Sequence, residues 1–118
     1  MSVDYIELVC PAGTPAGLHA AVDAGADAVY CGFRDCTNAR NYPGLNFDPD
    51  ELREGIDYAH RHDCKVLVAI NTFPRAGNPA PWQRAVDEAA GAGADAVILA
   101  DIGVLDYATR RHPDLRRH

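Results

Sequence analysis

One six-residue segment occurs twice in this chain, and it constrains the fold more than any other feature. Ala-Gly-Ala-Asp-Ala-Val occupies positions 24–29 and again positions 92–97, an offset of 68 residues. Each copy follows an alanine-rich helical pattern and leads into an apolar run, so its glycine is predicted to end a helix just before a strand begins. A βαβ crossover takes roughly 30 residues or more, so the offset corresponds to about two βα units. The repeat favours a fold of repeated βα units over the alternative, a turn common to α/β proteins in general.

Apolar periodicity and capping residues extend this interpretation to the order β-α-β-α-β-α-β-α. Strands are predicted at 5–10, 28–31, 65–70 and 96–100, and helices at 15–24, 49–62, 82–90 and from 102 to the residue before Pro113. Thr14, Asp48 and Asp101 are the predicted N-caps. Alternation of this kind predicts an α/β domain of four consecutive βα units, residues 1–118, with a parallel sheet. Two closures stay open: half of a TIM-like barrel, which the even repeat favours, or an open doubly wound, flavodoxin-like sheet.

Charge and composition narrow the classes of partner. The net charge is −6 and no basic stripe runs through the chain, so no nucleic-acid partner is expected. The arginines after position 109 are interpreted as the solvated end of the last helix. No apolar run approaches the ~20 residues of a membrane span. Met1 to Asp4 lacks the features of a signal peptide, so we expect a cytoplasmic protein with reduced cysteines.

Candidate binding residues follow the predicted strands, because ligands bind at the carboxyl ends of parallel strands in either closure. The longest connection, 32–47, has no apolar period, and long βα loops usually carry function. The predicted substrate-binding residues are Arg34, Asn38, Arg40 and Asn71. Two guanidinium groups can form a fork for a carboxylate or phosphate, and amides supply donors and acceptors. Local roles are the alternative: Arg34 can pair with Asp35, and Asn71 can satisfy turn backbone.

Catalytic and metal-binding residues are not identified by the sequence. Cys10 ends the first predicted strand and is interpreted as a small core residue, and no histidine lies at a recognisable triad spacing from it. Cys10, Cys31, Cys36 and Cys64 form no CxxC pair, so no metal site is predicted. No glycine-rich phosphate-binding loop is present.

Several segments together resemble a known family. Leu-Val-Cys-Pro-Ala-Gly at 8–13, the segment 25–32, Asn-Ala-Arg at 38–40 and Gly-Leu-Asn-Phe at 44–47 resemble the collagenase-like peptidase family (peptidase U-thirty-two). The segments 69–73, 82–87 and 98–101 resemble its ubiquinone-biosynthesis, UbiU-like branch. The resemblance implies a TIM-like barrel near the N-terminus of a longer parent, of which this chain is expected to be the first half.

The same resemblance carries functional expectations. The parent is expected to act with a UbiV-like partner in oxygen-independent hydroxylation on the way to ubiquinone, and related members hydroxylate RNA bases. A [4Fe–4S] cluster is expected in the parent, bound by four cysteines beyond the matched region. No cofactor is therefore expected in this chain, which alone is expected to be inactive. A collagenase-like peptidase fragment and a non-catalytic oligomerising α/β module are the alternatives.

A half-barrel sheet is expected to have two open apolar edges, at the first and the fourth strand. Its inner face would also lack an opposite wall, which leaves an apolar patch larger than monomers usually expose. The predicted inner-face residues are Ile6, Leu8, Val29, Val66, Val68 and Val97. A homodimer or a higher closed oligomer is expected to cover them.

Overall fold

The computed structural model of the chain describes residues 6–118. In chain order the elements are β1 (Val9–Pro11), α1 (Pro15–Asp23), β2 (Ala28–Gly32), α2 (Pro49–Arg61), β3 (Lys65–Ile70), α3 (Ala80–Ala92), β4 (Ala96–Leu99), α4 (Ile102–Arg111) and β5 (Arg116–Arg117). The predicted alternation is confirmed, and the structure adds a fifth strand. The predicted strand start at Tyr5, like Met1 to Asp4, lies outside the described residues.

Three predicted helix starts are confirmed by their cap geometry. Thr14 caps α1 through its side chain, with Pro15 as the first helical residue. Asp48 and Glu51 form a reciprocal capping box at the start of α2, because each side chain accepts the other residue's backbone N–H. Asp101 caps α4. These caps satisfy N–H groups that have no partner inside the helix.

The strand order decides between the two closures. The sheet runs β1-β2-β3-β4-β5, and every neighbouring pair is parallel. Right-handed crossovers between strands in sequential order place all four helices on one face of the sheet. A doubly wound sheet needs a reversal of strand order, which puts helices on both faces. The chain therefore has the architecture of half a TIM-like barrel, and the flavodoxin-like alternative is wrong.

The face assignment of the strand valines is corrected by the structure. Val29, Val66, Val68 and Val97 are fully buried in the core between sheet and helices, not on the inner face of the barrel. The strand register pairs Val29 with Val66 and Val68 with Val97, so the four share one face. Both faces of this sheet carry apolar residues, so sequence alternation does not reveal which parity points toward the helices.

The inner face is formed by the alternate residues of the same strands. Tyr30 pairs with Leu67, and Ala69 pairs with Ile98, in the rows between those of the core valines. Tyr30 is 36% exposed, and the other three are partly exposed. Among residues 6–118 no helix packs against this face, because all four crossovers lie on the other side of the sheet.

The first strand begins later than predicted and includes Pro11. Ile6, 85% exposed, and Leu8, 48% exposed, both precede β1, so the expectation that they belong to the first strand is wrong. Pro11 is accommodated because β1 is an edge strand, where a missing backbone N–H costs no ladder hydrogen bond. The next residue, Ala12, donates its N–H to the carbonyl of Tyr30 at 2.9 Å and continues the contact with β2.

The basic C-terminal residues agree with expectation in part, because Arg110 and Arg111 end α4 as predicted. Arg116 and Arg117 form β5 beside β4 rather than the solvated end of a helix. His118 continues the pairing, because its N–H donates to the carbonyl of Val97 at 2.9 Å and its carbonyl accepts from the N–H of Leu99 at 3.0 Å. β4 is therefore an interior strand, and the open edges of this sheet are β1 and β5.

The two copies of the repeat form the same helix-to-strand turn. Gly25 and Gly93 have left-handed φ angles of 94° and 92°, as predicted for glycines that end helices. Asp27 donates its N–H to the carbonyl of Leu8 at 2.8 Å, and its Oδ2 accepts from the N–H of Leu8 at 2.7 Å. Asp95 makes the same two bonds to Val66, at 2.9 and 2.7 Å. Each aspartate thus holds the neighbouring strand at both backbone groups, which fixes the parallel register at the amino end of the sheet.

Candidate functional site

A cavity of about 470 Å³ lies at the carboxyl end of the sheet, on its inner face. Its floor consists of inward-facing strand residues, namely Pro11, Tyr30, Ala69 and Ile98. Its wall comes from the long loop between β2 and α2, residues 33–48, through Asn38, Arg40, Tyr42, Leu45 and Asn46. Asn71, directly after β3, and the residues that follow β1, Ala12 and Gly13, also line the cavity. This position agrees with the general rule that ligands bind at the carboxyl ends of barrel strands.

The long loop is ordered by bonds to the structure beneath it. Phe47 is fully buried, and its backbone bonds to Gly32 and Arg34 return the loop to the end of β2. Thr37 is also fully buried, and its carbonyl accepts the N–H of Asn71 at 3.0 Å. Thr72 donates its hydroxyl to the carbonyl of Cys36 at 2.6 Å. The loop is therefore attached both to its own strand and to the end of β3.

Three asparagine side chains bond to the backbone groups of Ala39 and Arg40. The Oδ1 of Asn38 accepts the N–H of Arg40 at 3.0 Å, and the Nδ2 of Asn46 donates to the carbonyl of Arg40 at 2.7 Å. The Oδ1 of Asn71 accepts the N–H of Ala39 at 2.8 Å. The backbone at the cavity wall is thus fixed by side chains from three separate positions in the sequence.

The two arginines predicted to form a fork lie in different environments. Arg40 lines the cavity, and within residues 6–118 its guanidinium has no hydrogen-bond or ion-pair partner. Arg34 does not line the cavity. Its guanidinium donates to the carbonyls of Leu45 and Asn46, each at 3.1 Å, and to Glu51 at 2.9 Å. Arg34 therefore connects the long loop to the start of α2, with Glu51 as its carboxylate partner rather than Asp35, the partner in the alternative interpretation.

Three of the four predicted residues, Asn38, Arg40 and Asn71, meet at the cavity, and their substrate-binding role stays a prediction. Sequence reasoning missed Asn46, Tyr30 and Tyr42. Asn46 has a left-handed φ of 72°, a conformation that asparagine adopts more readily than other side chains. The sequence signal for this left-handed turn residue was an asparagine two positions after Gly44. Identifying Tyr30 as a cavity residue requires knowing which alternate residues of β2 face away from the helices, and the sequence alone does not provide this.

Gly32 explains how Asn38 reaches its position. A Cβ on Gly32 would lie 2.5 Å from the Nδ2 and 2.8 Å from the Cγ of Asn38, and 3.3 Å from the carbonyl oxygen of Ala69. Asn38 is 7% exposed, and its Nδ2 donates to the carbonyl of Phe33 at 3.3 Å. Because Gly32 has no side chain, the Asn38 amide can occupy the space beside the end of β2.

Thiol and imidazole groups do not meet at the cavity within the described residues. Burial raises the pKa of the Cys31 thiol to about 12, and burial also raises the pKa of Cys64. Cys10 is half-buried against the core. His60 bonds to Asp95 at the amino end of the sheet, on the side opposite the cavity. Nothing in residues 6–118 therefore assembles a cysteine–histidine nucleophile at this site.

Polar clusters on the helical side hold helices together. The hydroxyl of Tyr107 on α4 donates to Asp87 on α3, and His112 contacts the same carboxylate at 2.7 Å. Partial burial opposes ionisation of Asp87, but the bonds from His112 and Tyr107 outweigh it and lower the pKa of this carboxyl. Tyr58 on α2 bonds to Asp23 at the end of α1 in the same way, and that bond raises the pKa of Tyr58. Both clusters lie away from the cavity.

The cysteines do not fit a four-thiolate cluster. Cys31 and Cys64 are buried in the core, whereas Cys36 is exposed in the long loop. Across the described part of the chain, no three histidine, cysteine or acidic side chains lie close enough to hold a metal ion. That this chain supplies no ligand to an iron–sulfur cluster stays a prediction. No helix between residues 6 and 118 has the length and apolarity needed to cross a membrane.

Comparison with known proteins identifies the family. The sequence model of Peptidase family U32 matches residues 13–118. The chain belongs to Peptidase family U32. The solved structure of the U32 peptidase Mk0906 superimposes on 99% of this U32 chain and 49% of that protein, with a TM-score of 0.67 at 19% identity. This likeness confirms the barrel-type fold.

Curated relatives of the U32 chain have names of two kinds. An uncharacterized protease of Methanocaldococcus jannaschii is 39% identical over 103 residues, which are 87% of this chain and 25% of that protein. The tRNA hydroxylation protein P of Helicobacter pylori is 36% identical over 116 residues, 98% of this chain and 27% of that protein. The chain thus spans about a quarter of the length of these relatives.

Proposed function

We propose that this U32 chain forms the anion-binding wall of a barrel that takes part in oxygen-independent hydroxylation of a ring-containing substrate, and that the chain alone is inactive. The observation that carries this proposal is Arg40, a cation without a protein partner within residues 6–118, beside an apolar cavity at the carboxyl end of the sheet. The name of the Helicobacter pylori relative, a tRNA hydroxylation protein, supports the reaction class.

The lining of the cavity suits a small carboxylate attached to a ring. Arg40 is the one charged side chain among the described residues that line it. A guanidinium can bind a carboxylate through two parallel hydrogen bonds. Asn71 uses its Oδ1 for the loop, which leaves its amide N–H groups as further donors. Tyr30, Tyr42 and the apolar floor offer the flat surfaces against which a ring packs.

The ring that receives the hydroxyl group has two candidates. The UbiU-like resemblance favours a precursor of ubiquinone. A nucleic-acid base is the second candidate, favoured by the name of the tRNA hydroxylation relative. The net charge of −6 argues that this part of the barrel does not itself supply an RNA-binding surface. The [4Fe–4S] cluster, the UbiV-like partner and a cytoplasmic location are proposals for the parent.

Peptidase activity is the less supported alternative. The Methanocaldococcus jannaschii relative is named as a protease, and this favours it. The cavity, however, brings no thiol or hydroxyl nucleophile beside an imidazole within residues 6–118. Amide hydrolysis by a cysteine or serine needs such a base within hydrogen-bond reach of the nucleophile. Hydroxylation is therefore the better proposal for this cavity.

Replacing Arg40 with lysine in the full-length parent tests the proposed function. We expect activity to fall about tenfold or more, because lysine lacks the planar fork and a hydrogen bond to a charged group contributes about 1.5–3 kcal/mol. A deletion strain grown without oxygen is complemented with each variant, and its quinones and RNA nucleosides are quantified by mass spectrometry. The class of product that disappears identifies the acceptor ring.

Arg84→Lys is the matched control, because Arg84 is an exposed arginine on α3 away from the cavity. We expect this variant to restore wild-type product levels. Wild-type product levels with Arg40→Lys would show that Arg40 does not bind the substrate and would remove the main support of the proposal.

Association of the 118-residue chain with a second copy is a further proposal. Leu8, Val9 and Tyr30 are 48%, 46% and 36% exposed at the β1 edge and on the inner face. A second copy would cover this apolar surface, which water otherwise contacts. We expect light scattering on dilute protein to give about twice the 12.7 kDa mass of one chain. A stable mass at 12.7 kDa would contradict this expectation.

A further inference from the structure

The backbone of Arg40 is held from both sides by asparagine side chains. Asn38 accepts its N–H at 3.0 Å, and Asn46 donates to its carbonyl at 2.7 Å. We propose that Asn38 and Asn46 are positioning residues, which hold the Arg40 peptide so that its guanidinium stays at the cavity wall. The proposal rests on the proposed function, in which Arg40 binds a carboxylate.

Asn38 already bonds to the protein backbone through both ends of its side-chain amide. Its Oδ1 is occupied by Arg40 and its Nδ2 by the carbonyl of Phe33, at 3.0 and 3.3 Å. The side chain is 7% exposed and lies against Gly32, where a Cβ would come within 2.5 Å of its Nδ2. The bond to the N–H of Arg40 makes Asn38 a support of the residue that carries the guanidinium, and this is the role assigned to it.

Asn46 connects the Arg40 peptide to the end of the first strand. Its N–H donates to the carbonyl of Gly13 at 2.6 Å while its Nδ2 donates to the carbonyl of Arg40. Its own carbonyl accepts from Arg34 at 3.1 Å, and Arg34 is paired with Glu51 on α2. Asn46 thus connects the cavity wall to the end of β1 directly and to α2 through Arg34.

The backbone conformation explains why asparagine occupies position 46. Its φ of 72° is one that most side chains adopt only with strain. Glycine adopts this conformation but lacks the amide donor, whereas glutamine has a donor on a longer side chain and a less tolerant backbone. Asparagine combines the left-handed conformation with a short amide, and this combination is what the bond to Arg40 requires.

A fixed backbone matters because of the length of the arginine side chain. Arginine has many rotamers, and a ligand must restrict them when it binds. A peptide that is already held at its N–H and its carbonyl leaves only the side-chain torsions to be restricted. Asn38 and Asn46 are thus expected to strengthen carboxylate binding without contacting the carboxylate.

Asn46→Gly tests the proposal in the whole 118-residue chain, because glycine keeps the left-handed backbone and removes the donor. Hydrogen exchange at the Arg40 amide and titration with benzoate, followed by NMR at the Arg40 Nε–H, are measured for each variant. We expect exchange at Arg40 to quicken and benzoate affinity to fall, each about fivefold to tenfold, the scale of one hydrogen bond. Asn38→Ala removes the acceptor on the other side of the peptide and is expected to act in the same direction.

Asn41→Gly is the matched control, because Asn41 is exposed in the same loop and outside the cavity lining. It is expected to leave both readouts unchanged. Far-UV circular dichroism establishes that each variant is folded, and a purely structural role would lower stability without changing the benzoate affinity of the folded chain. Wild-type exchange and affinity in both Asn46→Gly and Asn38→Ala would overturn the positioning proposal.

Arg40→Gln separates this outcome from failure of the proposed function. Loss of benzoate binding in Arg40→Gln, with wild-type binding in Asn46→Gly and Asn38→Ala, would overturn positioning alone. Unchanged benzoate binding in Arg40→Gln would overturn the anion-binding role of Arg40, and with it both proposals.

Discussion

Gly32→Ala is expected to displace Asn38 from the cavity wall and to lower the free energy of unfolding by about 1–3 kcal/mol, as overpacking of a close-fitting site does. The added Cβ would lie 2.5 Å from the Nδ2 of Asn38 and 3.3 Å from the carbonyl oxygen of Ala69. Asn38 can move away only by giving up its bonds to Phe33 and Arg40, which hold both ends of its amide. The substitution therefore disturbs the loop that carries Arg40 as well as the end of β2.

Gly91→Ala provides the matched control for this experiment. Gly91 lies in α3, and a Cβ there would meet no atom within 4 Å. Alanine in a helix is more stable than glycine by roughly 0.5–1 kcal/mol, so this variant is expected to gain stability. Urea denaturation measures both variants. Equal stabilities of Gly32→Ala and the wild type would show that Asn38 does not depend on the absence of a side chain at position 32.

Asp95→Ala is expected to lower the free energy of unfolding by about 1.5–3 kcal/mol, the range for a hydrogen bond to a charged group. Asp95 accepts the N–H of Val66 at 2.7 Å and also contacts His60 at 2.7 Å. Val66 is fully buried near the amino end of β3, so removal of the carboxylate leaves its N–H without its protein acceptor. The cost arises mainly from that unpaired donor.

Two further variants distinguish the hydrogen bond from general charge removal. Asp95→Asn keeps an acceptor in place and is expected to cost less than Asp95→Ala. Asp106→Ala removes an exposed carboxylate paired with Arg110 on one helix face and is expected to cost below about 0.5 kcal/mol. Urea denaturation of all three variants gives the order of their losses in the free energy of unfolding. A loss in Asp95→Ala no larger than in Asp106→Ala would mean that the repeated aspartate does not hold the strand register.

Features that depend on neighbouring residues were predictable from the sequence. The caps at Thr14, Asp48 and Asp101 and the left-handed glycines of the repeat were correct, because each is decided by residues within a few positions. The bounds of β3 were also correct, since a continuous apolar run identifies a buried strand. The family resemblance came from short motifs of the same local kind, and the match to Peptidase family U32 confirms it.

Features that depend on contacts between distant residues were not predictable from the sequence. The barrel-type closure follows from the order of the strands, and the face of the core valines from the side on which the helices lie. β5 became a strand because β4 offered free backbone groups to its short basic segment. Arg34 and Arg40 are equivalent in chemistry, but Glu51, 17 residues away, binds the first and leaves the second at the cavity. Short-range preferences determine the elements, whereas long-range packing determines which side chains face one another.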